Sequence, residues 1–368
     1  MKSKNVEINN EIEKTDNLFN KVIQIVELAR MQVITAVNLA MVHSYFEIGK
    51  MIVEEEQEGK DRAKYGKYVL KALSKRLTEQ LGKGFSEQNL RNMRQFFLKF
   101  ADRDISIRQK ASGELEKSNS TFFNSFNLGW SHYLVLMRIE NINERNFYEI
   151  EAHKSNWSEP QLKRQYHSSL YERLALSRDK EQVLKLAEKG QIIEKSTDIL
   201  KNPLVLEFLS LEESHAYSES TLEKAIISKL QQFLLEFGKG FLFEARQKRF
   251  TFDEEHFFVD LVFYNRLLQC YVLIDLKTDK LVHQDIGQMQ MYVNYYDRHV
   301  KLDHEKPTIG ILLCKKKKDA LVELTLPKDA NIYATEYSLY LPDKKLLKQK
   351  LNEWTSEFEN SLEGLEGE

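Results

Sequence analysis

Two segments constrain this chain more than any others: Phe257-Phe258-Val259-Asp260-Leu261-Val262-Phe263-Tyr264, and the later Ile274-Asp275-Leu276-Lys277. Both are apolar runs with the length and composition of strands, and both are broken by ionisable side chains. An ionised group at a buried strand position is costly unless a cation or a counter-charge compensates it. The chain must therefore fold so that Asp260, Asp275 and Lys277 meet one another or a third charge. Along the second run side chains alternate, so Leu273, Asp275 and Lys277 share one face while Ile274 and Leu276 share the other.

The surroundings of these runs set a fold order. From about Ser218 one helix is followed by strands over 241–252, 257–265 and 268–278, with Asp253-Glu254-Glu255 and Asn265-Arg266 as turns, which predicts an antiparallel meander. A helix over 284–296, a strand over 308–314, a short helix near 319–324, a strand over 331–341 and a charged amphipathic helix over 343–362 complete the pattern. The order is α-β-β-β-α-β. In the first of these helices, at about 100° per residue, Glu223 falls within the arc of Ile226, Ile227, Leu230, Leu234 and Phe237, so it too needs a partner. Gln288 and Tyr292, four apart, share one face of the helix after the meander.

The first half reads as helix. A segment over 16–56 carries Val22, Ile25, Val26, Ala29, Val33, Val37, Ala40 and Met41 at helical spacing and is expected to pack against neighbours. A second helix over 65–81 stops at Gly82-Lys83-Gly84, and Ser86 caps a third over 87–100, giving a helix-turn-helix-like segment. Its Gln88, Asn89, Arg91, Asn92, Arg94 and Gln95 are side-chain types that contact bases and phosphates. The alternatives are a plain solvated face or a surface for dimerisation or a protein partner. Residues 101–129, polar and aperiodic, read as a loop; Ser158 and Gln161 form a capping box for a helix reaching about 177; charged residues over 178–201 bridge to the second half. The chain is thus an α+β protein of two domains, helical over 1–180 and α/β over 216–368, with 181–215 connecting them.

Composition narrows the setting. Net charge is −2, so any nucleic-acid partner depends on local basic patches such as Arg246-Gln247-Lys248-Arg249, while Lys315-Lys316-Lys317-Lys318 reads as a solvated turn. Cys270 and Cys314, each inside a strand, support neither a disulfide framework nor a zinc site, and His283, His299 and His304 lack ligand spacing to either. The apolar stretches read as too short or too interrupted by charge to span a membrane, and residues 1–7 do not resemble a secretory signal. A cytoplasmic protein with no membrane partner is expected.

Two strand carboxylates and a lysine suit one chemistry in particular. Phosphodiester hydrolysis needs an activated water and a neutralised phosphate, and Mg²⁺ held by a few oxygens supplies both. Asp260 and Asp275 would be the ligands, with Glu223 a third, directly or through water; Lys277 would act on the water or on developing charge. Gln288, Tyr292 and Gln247 could reach substrate, and Arg246, Lys248 and Arg249 could meet a nucleic-acid backbone, as could Arg91 and Arg94 from the helical domain.

The set Glu223, Asp260, Asp275-Leu276-Lys277 and Gln288-x-x-x-Tyr292, in the order α-β-β-β-α-β, resembles the PD-(D/E)XK nuclease superfamily. The text Phe241-Leu242-Phe243-Glu244-Ala245-Arg246-Gln247, Val259 to Tyr264 and Gly287-Gln288-Met289-Gln290-Met291-Tyr292 is similar to the bacterial YhcG-type nucleases. Their helical N-terminal domain is matched at Tyr45-Phe46-Glu47-Ile48-Gly49, at Gly84 to Arg94, and at Trp130-Ser131-His132-Tyr133. The superfamily's proline before its first Asp is replaced by Val259, and the family's usual Glu by Asp275; neither change removes a carboxylate. The resemblance implies a restriction-endonuclease-like domain that uses Mg²⁺ or Mn²⁺ to cut nucleic acid, most naturally DNA, and a dimer. The alternative it leaves is a catalytically silent nucleic-acid-binding or assembly module.

Overall fold

The computed structural model describes residues 2–58, 62–103, 126–176, 180–201, 203–211, 217–316, 324–325 and 330–353, and it forms two compact units, Met1–Glu140 and Asn141–Glu368.

The first unit contains helices α1 (Lys2–Glu58), α2 (Arg62–Leu81), α3 (Glu87–Phe100) and α4 (Trp130–Leu136). Ser86 caps α3 as expected, its hydroxyl accepting the Asn89 N–H at 3.2 Å. The buried face of α3 is Leu90, Met93, Phe96 and Phe100, spaced three and four apart, and it packs on the C-terminal half of α1. Phe46 meets Phe96 and Phe97 at 5.7 and 5.2 Å, and Phe126 and Tyr133 close around Phe96. Gly49 makes the approach possible, because a Cβ there would stand 2.1 Å from the Met93 carbonyl oxygen. The expected packing of α1 holds only in this half. From Leu18 to Val37 the helix is exposed, Leu18 by 63% and Val33 by 63%. The expectation that no stretch could span a membrane is also corrected. Within Leu18–Glu56 the helix is long and apolar enough by length and composition, because only Lys21, Glu27 and Arg30 carry charge between 18 and 46.

In the second unit, helices α5 (Ile142–Lys154), α6 (Glu159–His167), α7 (Leu170–Leu176) and α8 (Lys180–Lys189) precede strand β1 (Leu204–Val205). Then come α9 (Glu219–Ser228), α10 (Leu230–Phe237), β2 (Phe241–Phe252), β3 (Glu255–Asn265), β4 (Cys270–Lys280), α11 (His283–His299), β5 (Ile309–Lys316) and β6 (Ile332–Ser338); residues 344–353 are again helical. The six strands form one sheet in the order β1-β6-β5-β4-β3-β2. The expected meander is present, with β2–β3 and β3–β4 antiparallel, while β5 pairs parallel with β4 and with β6. Strands buried on both sides explain the near-continuous apolar runs. Ile274, Leu276 and Leu313 pack with Leu222, Ile226 and Phe233 of α9 and α10. Leu273, Val262 and Leu312 pack with Ile286, Met289 and Tyr292 of α11. Gly310 lets α11 lie close on β5, since a Cβ there would fall 2.7 Å from Met289 Cγ.

Several expected elements differ. The helix expected from Ser218 onwards is two, broken at Lys229 (φ −121°, ψ 30°), and the one expected from Ser158 breaks at Ser168 and Ser169, the latter with φ +54°. The connecting segment holds α8 and also β1, which pairs parallel with β6. The two compact units divide at 140/141, so that helices α5 to α7 group with the sheet. Arg164 of α6 and Arg173 of α7 reach the fully buried Glu236 of α10 at 3.0 and 2.6 Å, which binds these helices to the sheet half. The short helix expected near 319–324 lies almost wholly outside the described residues, as do most of the 101–129 loop and the end of the last helix.

Candidate active site

The site begins as a fork in the sheet. β3 and β4 pair from Asn265↔Cys270 to Leu261↔Ile274, and there their ladder ends. Beyond it β3 continues with β2, while β4 continues with β5 through Asp275↔Leu312 and Lys277↔Cys314. Asp260 and Asp275 are therefore the first residues past the split on their two strands. Asp260 spans the opening: Leu276 donates its backbone N–H to Oδ2 at 2.8 Å. Its Oδ1 accepts the Gln247 side-chain amide at 2.8 Å, and the same amide nitrogen donates to Glu223 Oε2 at 2.8 Å. Glu223, 5% exposed, thus has the partner its place in an apolar arc demanded, and Arg246 stands 3.8 Å from its other oxygen. Gln247 reaches inward from a left-handed backbone (φ +46°), uncommon for a non-glycine residue inside a strand.

Asp275 is buried, and its Oδ2 lies 2.8 Å from the Lys277 ammonium in an ion pair. Burial, reinforced by the Asp260 charge, pushes the Asp275 carboxyl up to about 7, against the pull of Lys277. Burial works against the charge of Lys277, but the carboxylates of Asp275, Glu219 and Asp285 outweigh it and hold the amine above its usual value. Glu219 lies 4.0 Å and Asp285 3.7 Å from Lys277 Nζ. Neither was singled out from the sequence, although Glu219 precedes Glu223 by one helical turn and Asp285 sits in the first turn of α11. Burial raises the Glu219 carboxyl, Lys277 opposing and Asp260 adding to the rise.

On α11, Gln288 donates its amide to the Tyr292 hydroxyl. The Tyr292 ring is buried, and burial first, then the charges of Asp275 and Asp260, raise its phenol, so it shares the electrostatic environment of the fork. Of the basic run, Lys248 pairs with Glu244 at 3.5 Å and Arg249 bonds His256 at 2.9 Å; Arg246, Lys248 and Arg249 are exposed. Arg91 and Arg94 belong to the first unit, where Arg91 pairs with Glu87 and Arg94 with Glu56 at 2.6 Å. Asn89 is committed to structure there, bonding the Gly84 carbonyl and Trp130 Nε1.

The oxygens at the fork suit a hard divalent cation. Asp275 in particular is a buried carboxylate with the like charge of Asp260 nearby, costs that the single Lys277 ammonium does not cancel, and a cation between it and Asp260 would relieve them. Two carboxylates are enough for Mg²⁺, which keeps several waters. Among the described residues no three or more His, Cys, Asp or Glu are grouped so as to hold a metal. Glu223 is joined to Asp260 through the Gln247 amide.

Residues 197–352 match the model of the YhcG PDDEXK nuclease domain, and residues 21–173 that of the DUF1016 N-terminal domain. The chain is also 39% identical over 347 residues to YhcG of Escherichia coli (strain K12), itself a nuclease only by provisional name, covering 90% of this chain and 92% of that one. The chain belongs to the YhcG family of PDDEXK nucleases. The helical region followed by a mixed sheet with flanking helices is the expected family architecture. Among solved structures, a repair endonuclease from Pyrococcus abyssi is similar over 36% of this chain and 50% of its own (18% identity, TM-score 0.24). The EndoMS–dsDNA2 complex is similar over 36% and 51% (14% identity, TM-score 0.25). Neither likeness is close enough to bear on the chemistry. In this YhcG-family chain the pattern residues Asp260, Asp275 and Lys277 meet at the fork, with Glu223 linked to them through Gln247.

Proposed function

We propose that the chain is a Mg²⁺-dependent endodeoxyribonuclease, with Mn²⁺ able to substitute. The observation that carries this reading is the opposition of Asp260 and Asp275 across the split of β3 and β4, with Lys277 2.8 Å from Asp275. Asp260 and Asp275 would hold the ion, which when bound would polarise the scissile phosphate and lower the pKa of a water. Lys277, kept charged by three carboxylates, orients that water and stabilises charge on the phosphate as it develops. Glu223 fixes Asp260 through Gln247, and Gln288 with Tyr292 borders the fork from α11. Exposed Arg246, Lys248 and Arg249 on β2 supply cations for a DNA backbone beside the site. In the first unit the α2–α3 hairpin offers a further surface for DNA or a protein partner, although Arg91 and Arg94 already hold ion pairs. A reducing cytoplasm accords with Cys270 and Cys314 as buried thiols.

The test is incubation of purified protein and its Lys277→Ala variant with supercoiled, linear and branched DNA, and with RNA, in Mg²⁺, Mn²⁺ or EDTA. Metal-dependent cutting of DNA that the variant lacks is expected. DNA binding without cutting under any condition would replace the enzyme with the silent binding module.

A further inference from the structure

The exposed stretch of α1 from Leu18 to Val37 is the largest unexplained feature among the described residues. At about 100° per residue, Leu18, Phe19, Val22, Val26, Val33 and Val37 fall on one half of the helix circumference. All are exposed, from 42% at Val26 to 63% at Leu18 and Val33. Together they form one contiguous apolar face along a single helix, and a contiguous exposed apolar patch of this kind marks an interaction surface. Ordering such a face towards water is unfavourable, so something covers it.

We infer that the cover is the same helix of a second copy of this chain, the two α1 segments pairing antiparallel about a two-fold axis. Three observations favour that occupant. Asn20, Gln24, Glu27, Gln32, Thr35 and Asn38 recur along the opposite half, with Leu28 and Met31 among them, so the helix carries one continuous apolar face and one mixed face. That mixed half is rich in amides and short of the Lys and Arg that hold a helix on a lipid surface. Lastly, Arg30 is the single charge on the apolar side and Glu27 borders it one turn away, and neither makes an ion pair among the described residues. In an antiparallel pair centred between them, Arg30 of each copy faces Glu27 of the other, so one self-complementary patch satisfies both charges. The inference does not rest on the nuclease reading.

Sedimentation equilibrium of the full chain at micromolar concentration, without detergent, tests it. The wild type should run at twice the 43.4 kDa chain mass. Val26→Asp/Val33→Asp should run as monomer, its dissociation constant raised about a hundredfold or more, with its helical circular dichroism kept because both sites are exposed. Arg30→Glu should weaken the dimer, and Glu27→Arg/Arg30→Glu should restore it. A monomeric wild type, or a dimer indifferent to Val26→Asp/Val33→Asp, overturns the inference. So does flotation of the wild type, but not of that variant, with phosphatidylcholine or phosphatidylglycerol vesicles, which would give the face to lipid.

Discussion

Asp260 accepts the backbone N–H of Leu276 at 2.8 Å, and Leu276 is the residue that separates Asp275 from Lys277. One carboxylate therefore does two things: it offers charge to the site, and it ties the end of β3 to β4 where their ladder has stopped. Asp260→Asn separates the roles in part, because its amide oxygen can still accept from Leu276 while the charge and the Oδ1 acceptor for Gln247 are gone. Cleavage should be lost with a smaller fall in thermal midpoint than in Asp260→Ala, which should lose cleavage and a further ~1–3 kcal/mol of stability, the cost of leaving the buried Leu276 donor unpaired as well. Equal midpoints for the two variants would show that the clasp contributes nothing.

The raised carboxyl of Asp275 gives the metal-free protein a signed pH dependence. Its folded value is about 7 against an ordinary carboxylate near 4, so the folded state binds the proton more tightly. The stabilisation is fully present below pH ~4 and is lost as pH rises through about 7. The metal-free melting temperature should therefore carry a downward component over that window that Asp275→Asn removes. Mg²⁺ competes with the proton, so its thermal shift should be larger at pH 8 than at pH 5. A shift independent of pH, or the same in Asp275→Asn, would separate the ion from this carboxylate.

The parts of this site that were legible in the sequence are those set by a local period. Alternation along β4 puts Asp275 and Lys277 on the face opposite Ile274 and Leu276, and helical spacing puts Glu223 among apolar neighbours that are buried at Ile226 and Phe237 and half-buried at Ile227, Leu230 and Leu234, although the helix breaks at Lys229. What stayed hidden depends on contacts between distant segments. No period announces that β3 leaves β4 at Leu261, or that Gln247 takes φ +46° to reach two carboxylates. β1, two residues long, has too little pattern to read and exists through its pairing with β6. The apolar spacing of α1 marks a face to be buried without saying what buries it, so the same pattern yields a packed half at Phe46 and an exposed half at Val33.

Gly49 tests the packing of the helical unit. A methyl group there would lie 2.1 Å from the Met93 carbonyl oxygen and 2.7 Å from its carbon, backbone atoms of α3 that cannot swing aside. Gly49→Ala should favour α1 as an isolated helix by up to ~1 kcal/mol yet destabilise the folded unit by ~1–3 kcal/mol, because overpacking outweighs propensity. Chemical denaturation of the full chain should show the unfolding of this unit moved to lower denaturant. A midpoint raised by Gly49→Ala would mean that α1 and α3 stand farther apart.

Glu236 should be the most sensitive carboxylate outside the site. It is fully buried with Arg173 at 2.6 Å and Arg164 at 3.0 Å, accepts the Val205 N–H at 2.9 Å, and has the buried Lys201 bonded to its backbone carbonyl. Burial would raise its carboxyl, but Arg173, then Lys201 and Arg164, hold it down to about 2. A lowered value means that its stabilisation is whole above pH ~4.3 and is lost as pH falls through about 2, a window worth roughly 3 kcal/mol. Glu236→Gln should impose a comparable or larger loss at neutral pH, ~3–5 kcal/mol, by leaving buried cations uncompensated. Lys201, which burial already lowers to about 8 despite the nearby Glu236 charge, would fall further. Removing that amine should accordingly recover part of the loss, so Glu236→Gln/Lys201→Met is expected to be more stable than Glu236→Gln alone. A double-mutant cycle in urea measures the coupling, and strictly additive effects would show that Lys201 does not sense the Glu236 charge.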